Sequence, residues 1–138
     1  MKLFMRLLLV ALLSWTATAF AEFVVIVHPS NQDNLNLEMV QRIYLGKTKG
    51  FPTAGKAVPL DLLPADAARA GFLANVVKKT QSQYTAYWAK LMFTGKGIPP
   101  KEIESEKELV MLVSKNPNLI GYVDASAVTD DVRVVARF

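Results

Sequence analysis

The residues that first invite a chemical reading are few and scattered. Leu45-Gly-Lys-Thr48 has the ending of a phosphate-cradling loop, His28 closes an apolar run, and Glu102, Glu104, Glu106 and Glu108 bring four carboxylates together; Tyr84, Tyr87, Trp88, Leu91 and Met92 offer aromatic and apolar faces for stacking. Each has a plainer reading. A P-loop needs a glycine five places before Gly46, where Gln41 stands, and it follows a strand rather than a helix, so this tetrapeptide reads as a helix end and a loop. His28 has no second histidine and no cysteine with which to share a metal or to form a nucleophile pair, and reads as a strand-end residue. The four glutamates surround a helix start, where negative charge is favoured by about 0.3–1 kcal/mol each, and read as a solvated face. The aromatic stripe runs on into Leu91 and Met92 and reads as helix core. No G-x-S-x-G elbow or metal-binding helix is present. Nothing argues for an enzyme, a metal or a cofactor.

The elements that must position any site follow from apolar periodicity. Phe23-Val-Val-Ile-Val27 lacks polar alternation and predicts a central strand buried on both faces. Ser30-Asn-Gln-Asp-Asn34 is turn chemistry. Asn36 caps a short helix through Leu37, Val40 and Tyr44, stopped by Gly46. Lys56 to Leu62 predicts a second strand, with Pro59 pointing to an edge or a bulge. A helix opens at Pro64-Ala-Asp66, faces inward through Phe72, Leu73, Val76 and Val77, and ends at Lys78-Lys79. Thr80-Gln-Ser-Gln83 and Ser105-Glu-Lys-Glu108 have capping-box spacing and open two further helices. Leu119–Val123 and Val132–Ala136 close the chain as strands. The order β-α-β-α-α-α-β-β, with no repeat and no dividing linker, predicts one three-layer α/β domain.

Composition sets the compartment. The 138 residues begin with Lys2 and Arg6, a short apolar run Leu7–Leu13, and small residues ending Ala19-Phe20-Ala21. This is the pattern of a secretory signal peptide cleaved after Ala21, and its apolar run is too short to span a bilayer. The expected division is therefore residues 1–21 as leader and 22–138 as a single domain, exported to the periplasm. Removing residues 1–21 leaves 117 residues with 14 basic and 12 acidic side chains. That near balance, with no long basic run, argues against nucleic acid as a partner. A chain of this length builds a core without disulfides, and it contains no cysteine.

Three segments are more specific than composition: Ile43-Tyr-Leu-Gly-Lys-Thr48, Tyr87-Trp-Ala-Lys-Leu-Met-Phe-Thr-Gly-Lys-Gly97 and Ile120-Gly-Tyr-Val-Asp-Ala125. Together they resemble the PstS-like family, the substrate-binding proteins of phosphate ABC transporters. The resemblance runs through nearly all of residues 23–138. It implies a periplasmic-binding-protein type 2 α/β fold, with a mixed sheet flanked by helices. A complete member has two lobes that close over the ligand, and only one lobe fits in this length. The other jaw would have to come from a second copy or another envelope protein.

In that family the second strand is followed by a turn at a helix start, where backbone N–H groups and hydroxyls hold phosphate oxygens, an arrangement that the free donors and positive dipole end of a helix favour. The matching place here is Leu62-Leu-Pro-Ala-Asp-Ala-Ala-Arg69. Asp66 and Ala68 take the hydroxyl positions, and Arg69 could supply a cation. A carboxylate about 4 Å from a phosphate charge costs on the order of 4 kcal/mol near a surface. Asp66 therefore also reads as a helix cap, or as an acceptor for a protonated phosphate, and Arg69 as its partner at i+3. Ser30 and Asn31, just after the first strand and so expected at the sheet's carboxyl edge, where α/β folds place ligands, are further donors, or simply turn residues. The resemblance, with Ser30 and Asn31 added from their place after the first strand, points to a periplasmic solute-binding protein holding phosphate or a related oxyanion through Ser30, Asn31, Ala65, Asp66, Ala67 and Arg69, in the service of an ABC transporter. The alternative is a one-lobe interaction scaffold that has lost its ligand site and docks through Lys47–Phe51 and Thr94–Pro100.

Overall fold

Four consecutive Cβ-branched residues, Val24 to Val27, favour extended backbone, and they form β1 (Phe23–Val27) in the computed structural model, which describes residues 21–138. The expected leader, residues 1–21, lies outside the described residues save for Ala21. Each of Val24, Val25, Ile26 and Val27 is buried, as a strand with neighbours on both sides requires. β1 pairs antiparallel with β4 (Leu119–Asp124) and with β5 (Arg133–Arg137), the latter through a bulge at Val25/Ile26. β2 (Val58–Leu62) runs parallel to β4 on one side and to β3 (Lys101–Ile103) on the other. The five-stranded mixed sheet has the order β3-β2-β4-β1-β5.

The helices begin where short polar side chains cap them. Asn36 Oδ1 accepts the Met39 N–H at 2.8 Å and opens α1 (Leu37–Tyr44), and Gly46, at φ +69°, supplies the left-handed turn at its end. Asp66 opens α2 (Ala67–Phe72), which continues through a wider π-helical turn, Leu73–Val77, closed by Lys78 at φ +62°. Thr80 and Gln83 form both halves of a capping box at the start of α3 (Gln81–Phe93), whereas Ser105 accepts from the Glu108 N–H ahead of α4 (Glu106–Lys115) without the reciprocal bond.

Adjacent residues of β4 show the layering. Gly121 has no Cβ because Leu109 of α4 packs over it; one added there would lie 2.3 Å from Leu109 Cδ2. The next residue, Tyr122, points to the opposite face and stacks on Phe72 of α2, ring centroids 4.0 Å apart. Helices thus cover both faces of the sheet, as the three-layer reading expected. Tyr44 and Phe138 complete the aromatic core around Phe72, at 4.5 and 5.5 Å.

Four expectations change. β3 was not foreseen, since three residues in a carboxylate-rich stretch carry no period. Pro59 is not on an edge strand; β3 pairs only with Leu60–Leu62, so the proline's missing N–H falls outside that ladder, and its strand is second from the edge. The α3 stripe is core only at Tyr84 and Trp88, for Tyr87 and Leu91 are half-buried and Met92 is half exposed. The glutamates are not one solvated face: Glu102 lies on β3 and pairs with Arg69, while Glu106 accepts the Asp124 N–H at 2.6 Å. Among the described residues no helix is long and apolar enough to cross a membrane.

Candidate functional site

The carboxyl end of β2 and the start of α2 meet in a buried polar cluster. β2 reads Val-Pro-Leu-Asp-Leu, so Asp61 enters the sheet interior among apolar neighbours and must find partners there. It finds three. The Tyr122 hydroxyl donates to Oδ1, the Tyr84 hydroxyl donates to Oδ2 at 2.9 Å, and Arg69 Nη1 stands 3.8 Å from Oδ1. Tyr122 in turn accepts the Leu62 N–H at 3.1 Å. Burial pushes the Asp61 carboxyl above its usual range, opposed by the Arg69 charge and the two hydroxyls, and burial beside Asp61 raises both tyrosines.

Arg69 is held from every side. Its Nη1 donates to the Leu62 carbonyl at 2.7 Å and to Glu102 Oε1 at 3.1 Å, its Nε donates to Gln81 Oε1 at 3.0 Å, and its guanidinium carbon lies 5.5 Å from the Tyr84 ring centre. The side chain is 4% exposed. Arg69 does not pair with Asp66 at i+3. It turns inward instead, because β3 brings Glu102 within reach.

Asp66 is a helix cap: its Oδ1 accepts the Ala68 N–H at 2.8 Å. Ala65 and Ala67 are exposed beside it, and the Ala67 N–H belongs to the first turn, whose donors have no partner within the helix. Donors for an oxyanion at this end are therefore backbone N–H groups, together with the charge of the buried Arg69. Against them stand Asp61, Asp66 and Glu102.

Ser30 and Asn31 lie at the other end of the sheet. Val27, Ile120 and Pro59 share one row, so across β4 the carboxyl end of β1 lies level with the start of β2, and about 10 Å of strand, Pro59 to Leu62, separates it from the turn that leads to Ala65–Arg69. The structure does not bring the two groups together, and the shared carboxyl edge expected of them fails because β1 runs antiparallel to β2. Ser30 is turned to His28, its Oγ 2.7 Å from Nδ1. Asn31 is buried: its Oδ1 accepts the Asp33 N–H, its carbonyl accepts from Arg133 Nη1 at 3.0 Å, and its Nδ2 has no partner. Asp33 accepts from the Thr53 hydroxyl and from the Thr53 and Ala54 N–H groups, the latter two at 2.8 and 2.9 Å, and these bonds hold its carboxyl below the usual range. Together they pin the loop after β1 to the loop before β2.

Sequence reasoning missed Asp61, Tyr84 and Glu102 as members of the polar cluster. One signal was available: a lone carboxylate inside an otherwise apolar strand announces buried partners. Among the described residues no group of His, Cys, Asp and Glu could hold a metal ion.

The fold has solved counterparts. An ABC-type phosphate transport receptor from Vibrio cholerae superposes with a TM-score of 0.65 at 18% identity, over 83% of this chain and 46% of that one. A protein of Clostridium perfringens, assigned as a phosphate ABC transporter substrate-binding protein and solved with bound phosphate, gives 0.65 at 22% identity, over 83% and 45%. PstS from Borrelia burgdorferi gives 0.60 at 15%, over 86% and 49%. The chain spans about half the length of each, and its fold is that of a single PstS-like lobe. These counterparts are described as transport and binding proteins. No protein-family model and no curated protein sequence matches the chain.

Proposed function

We propose that this chain is an exported, periplasmic binding lobe of PstS type that takes phosphate or a related oxyanion at the start of α2. The support is the fold, shared with phosphate transport receptors, and the position of Ala65, Ala67 and Arg69 at the carboxyl end of a parallel strand, where α/β sheets place ligands. The acidic surroundings select for a protonated oxyanion that donates a hydrogen bond to Asp66. Ser30 and Asn31 stand too far off to share that ligand. A second jaw comes from another copy or an envelope partner, and delivery to an ABC transporter follows from the same reading. Residues 1–21 act as the leader.

One observation favours a second reading, an interaction scaffold without a ligand. Arg69 is already balanced by Asp61 and Glu102, and Asp66 occupies the helix start. Calorimetry with inorganic phosphate on protein lacking residues 1–21 decides between them. Saturable heat that Arg69→Met weakens supports the oxyanion reading, and no heat at millimolar phosphate leaves the scaffold.

A further inference from the structure

At the end of the sheet opposite Ala65–Arg69, the last turn of α3 and the loop behind it expose apolar side chains that a folded surface ordinarily hides. Phe93 is 94% exposed, Ile98 84% and Met92 50%. They are held in place. The Lys96 N–H returns to the Leu91 carbonyl at 2.8 Å, Gly95 takes φ +68°, and Gly97 packs against the Trp88 ring, so the segment is a tight helix-ending turn laid on a buried aromatic. Scattered single apolar residues need no explanation, but three within seven residues of one rigid turn do.

The charges around them are of one sign. A groove of about 410 Å³ runs between this turn and the loop after α1, floored by Trp88, Leu91 and Pro59 and rimmed by Lys49, Lys56, Lys96 and Lys101. No carboxylate occurs in the sequence from Met39 to Leu60 or from Ala67 to Lys101, the two stretches that build the groove. Glu102, next to Lys101 in the chain, is turned to Arg69, and Asp33 is turned to Thr53 and Ala54. None of the four lysines is in an ion pair among the described residues.

We propose that this tip docks on an anionic lipid surface, with Phe93, Ile98 and Met92 entering the boundary between headgroups and acyl chains and the lysines facing the phosphates. Apolar anchors ringed by lysines are what such a surface recognises, and each lysine close to it adds about fivefold in partition. Protrusion decides between lipid and protein: an acidic peptide would fill the groove and leave Phe93 in water, whereas a membrane covers both. The inference is independent of whether the α2 end holds an oxyanion.

The test is sedimentation of protein lacking residues 1–21 with vesicles of phosphatidylcholine alone and of phosphatidylcholine with phosphatidylglycerol, at low and physiological salt. Binding to the anionic vesicles is expected, with at least a tenfold loss in Phe93→Ser/Ile98→Ser, whose side chains bear no part of the fold, and a comparable loss in Lys96→Glu/Lys101→Glu. Three results overturn the proposal: no binding to anionic vesicles at low salt, equal binding to neutral ones, or binding untouched by Phe93→Ser/Ile98→Ser. Capture by poly-glutamate beads without vesicle binding also overturns it, and assigns the groove to an acidic protein.

Discussion

Asp61 and Arg69 stand 3.8 Å apart with side chains 2% and 4% exposed, so the strand and the helix that bound the candidate site are joined by a desolvated charge pair. Such a pair contributes less through its own attraction than through the cost of leaving either member alone. Asp61→Asn leaves the guanidinium with Glu102 alone and removes a carboxylate from two tyrosines. A loss of about 2–4 kcal/mol in urea unfolding is expected. In Asp61→Asn/Arg69→Met both charges are gone, and the double variant should regain stability over Asp61→Asn. Strict additivity of the two single losses would contradict this account.

Gly121 fixes how closely α4 approaches the sheet. A Cβ there would meet Leu109 Cδ2 at 2.3 Å, and Leu109 is fully buried. Gly121→Ala should therefore cost about 1–3 kcal/mol through overpacking. The clash is with the end of a side chain, so Leu109→Val in the same molecule should restore part of the loss. Thermal unfolding of Gly121→Ala, Leu109→Val and the double variant reads the coupling, and a Gly121→Ala as stable as the parent would refute the close approach.

Lys78 pays for a conformation that glycine adopts freely. At φ +62° it ends the π-helical turn, its N–H bonded back to the Leu73 carbonyl. Relief of left-handed strain outweighs the added freedom of the unfolded chain, so Lys78→Gly should stabilise by about 0.5–1 kcal/mol. Lys78→Val should do the reverse. Urea midpoints at constant slope provide the measurement.

How far these features were legible depends on the range of the interactions behind them. Local signals worked: Asn36, Thr80 and Ser105 cap their helices because a cap needs only the next turn, and Val24–Val27 form a buried strand because four branched residues leave little else. Non-local ones did not. Glu102 looked like helix-start charge, but its partner is 33 residues away, reachable only once β3 has paired with β2. Pro59 looked like an edge signal, and what rescues it is a neighbouring strand one residue too short to need its N–H. The orientation of β1 misled most. Its sequence is equally good in either direction, and the antiparallel pairing with β4 alone separates Ser30 and Asn31 from Arg69.

Asp33 gives the chain an acid-sensitive clasp. Its carboxylate accepts from the Thr53 hydroxyl and from the N–H groups of Thr53 and Ala54, and these bonds hold its pKa below the ordinary 3.8. Between the lowered folded value and 3.8 the unfolded chain binds more protons than the folded one, so stability rises with pH through that window. The contribution is complete above the unfolded value and disappears as pH falls through the folded one. Asp33→Ala should be less stable than the parent at neutral pH, and the difference should shrink as urea titrations descend to about pH 2. A difference that stays constant with pH would place the effect in packing rather than in the carboxylate.

Asp66 separates the cap from the charge. As a cap it satisfies the Ala68 N–H, which serine can do as well; as an anion it opposes any phosphate at the start of α2. Asp66→Ser should hold folding stability within about 0.5 kcal/mol, while Asp66→Ala loses about 1 kcal/mol. If the oxyanion reading holds and Asp66 repels the ligand, Asp66→Ser tightens phosphate by at least about tenfold in calorimetry. If Asp66 instead accepts a hydrogen bond from the protonated ligand, the same variant weakens binding and abolishes any preference for the monoanion. The sign of that one change assigns the carboxylate its role, and parent and variant both silent toward phosphate would leave Arg69 a purely internal cation.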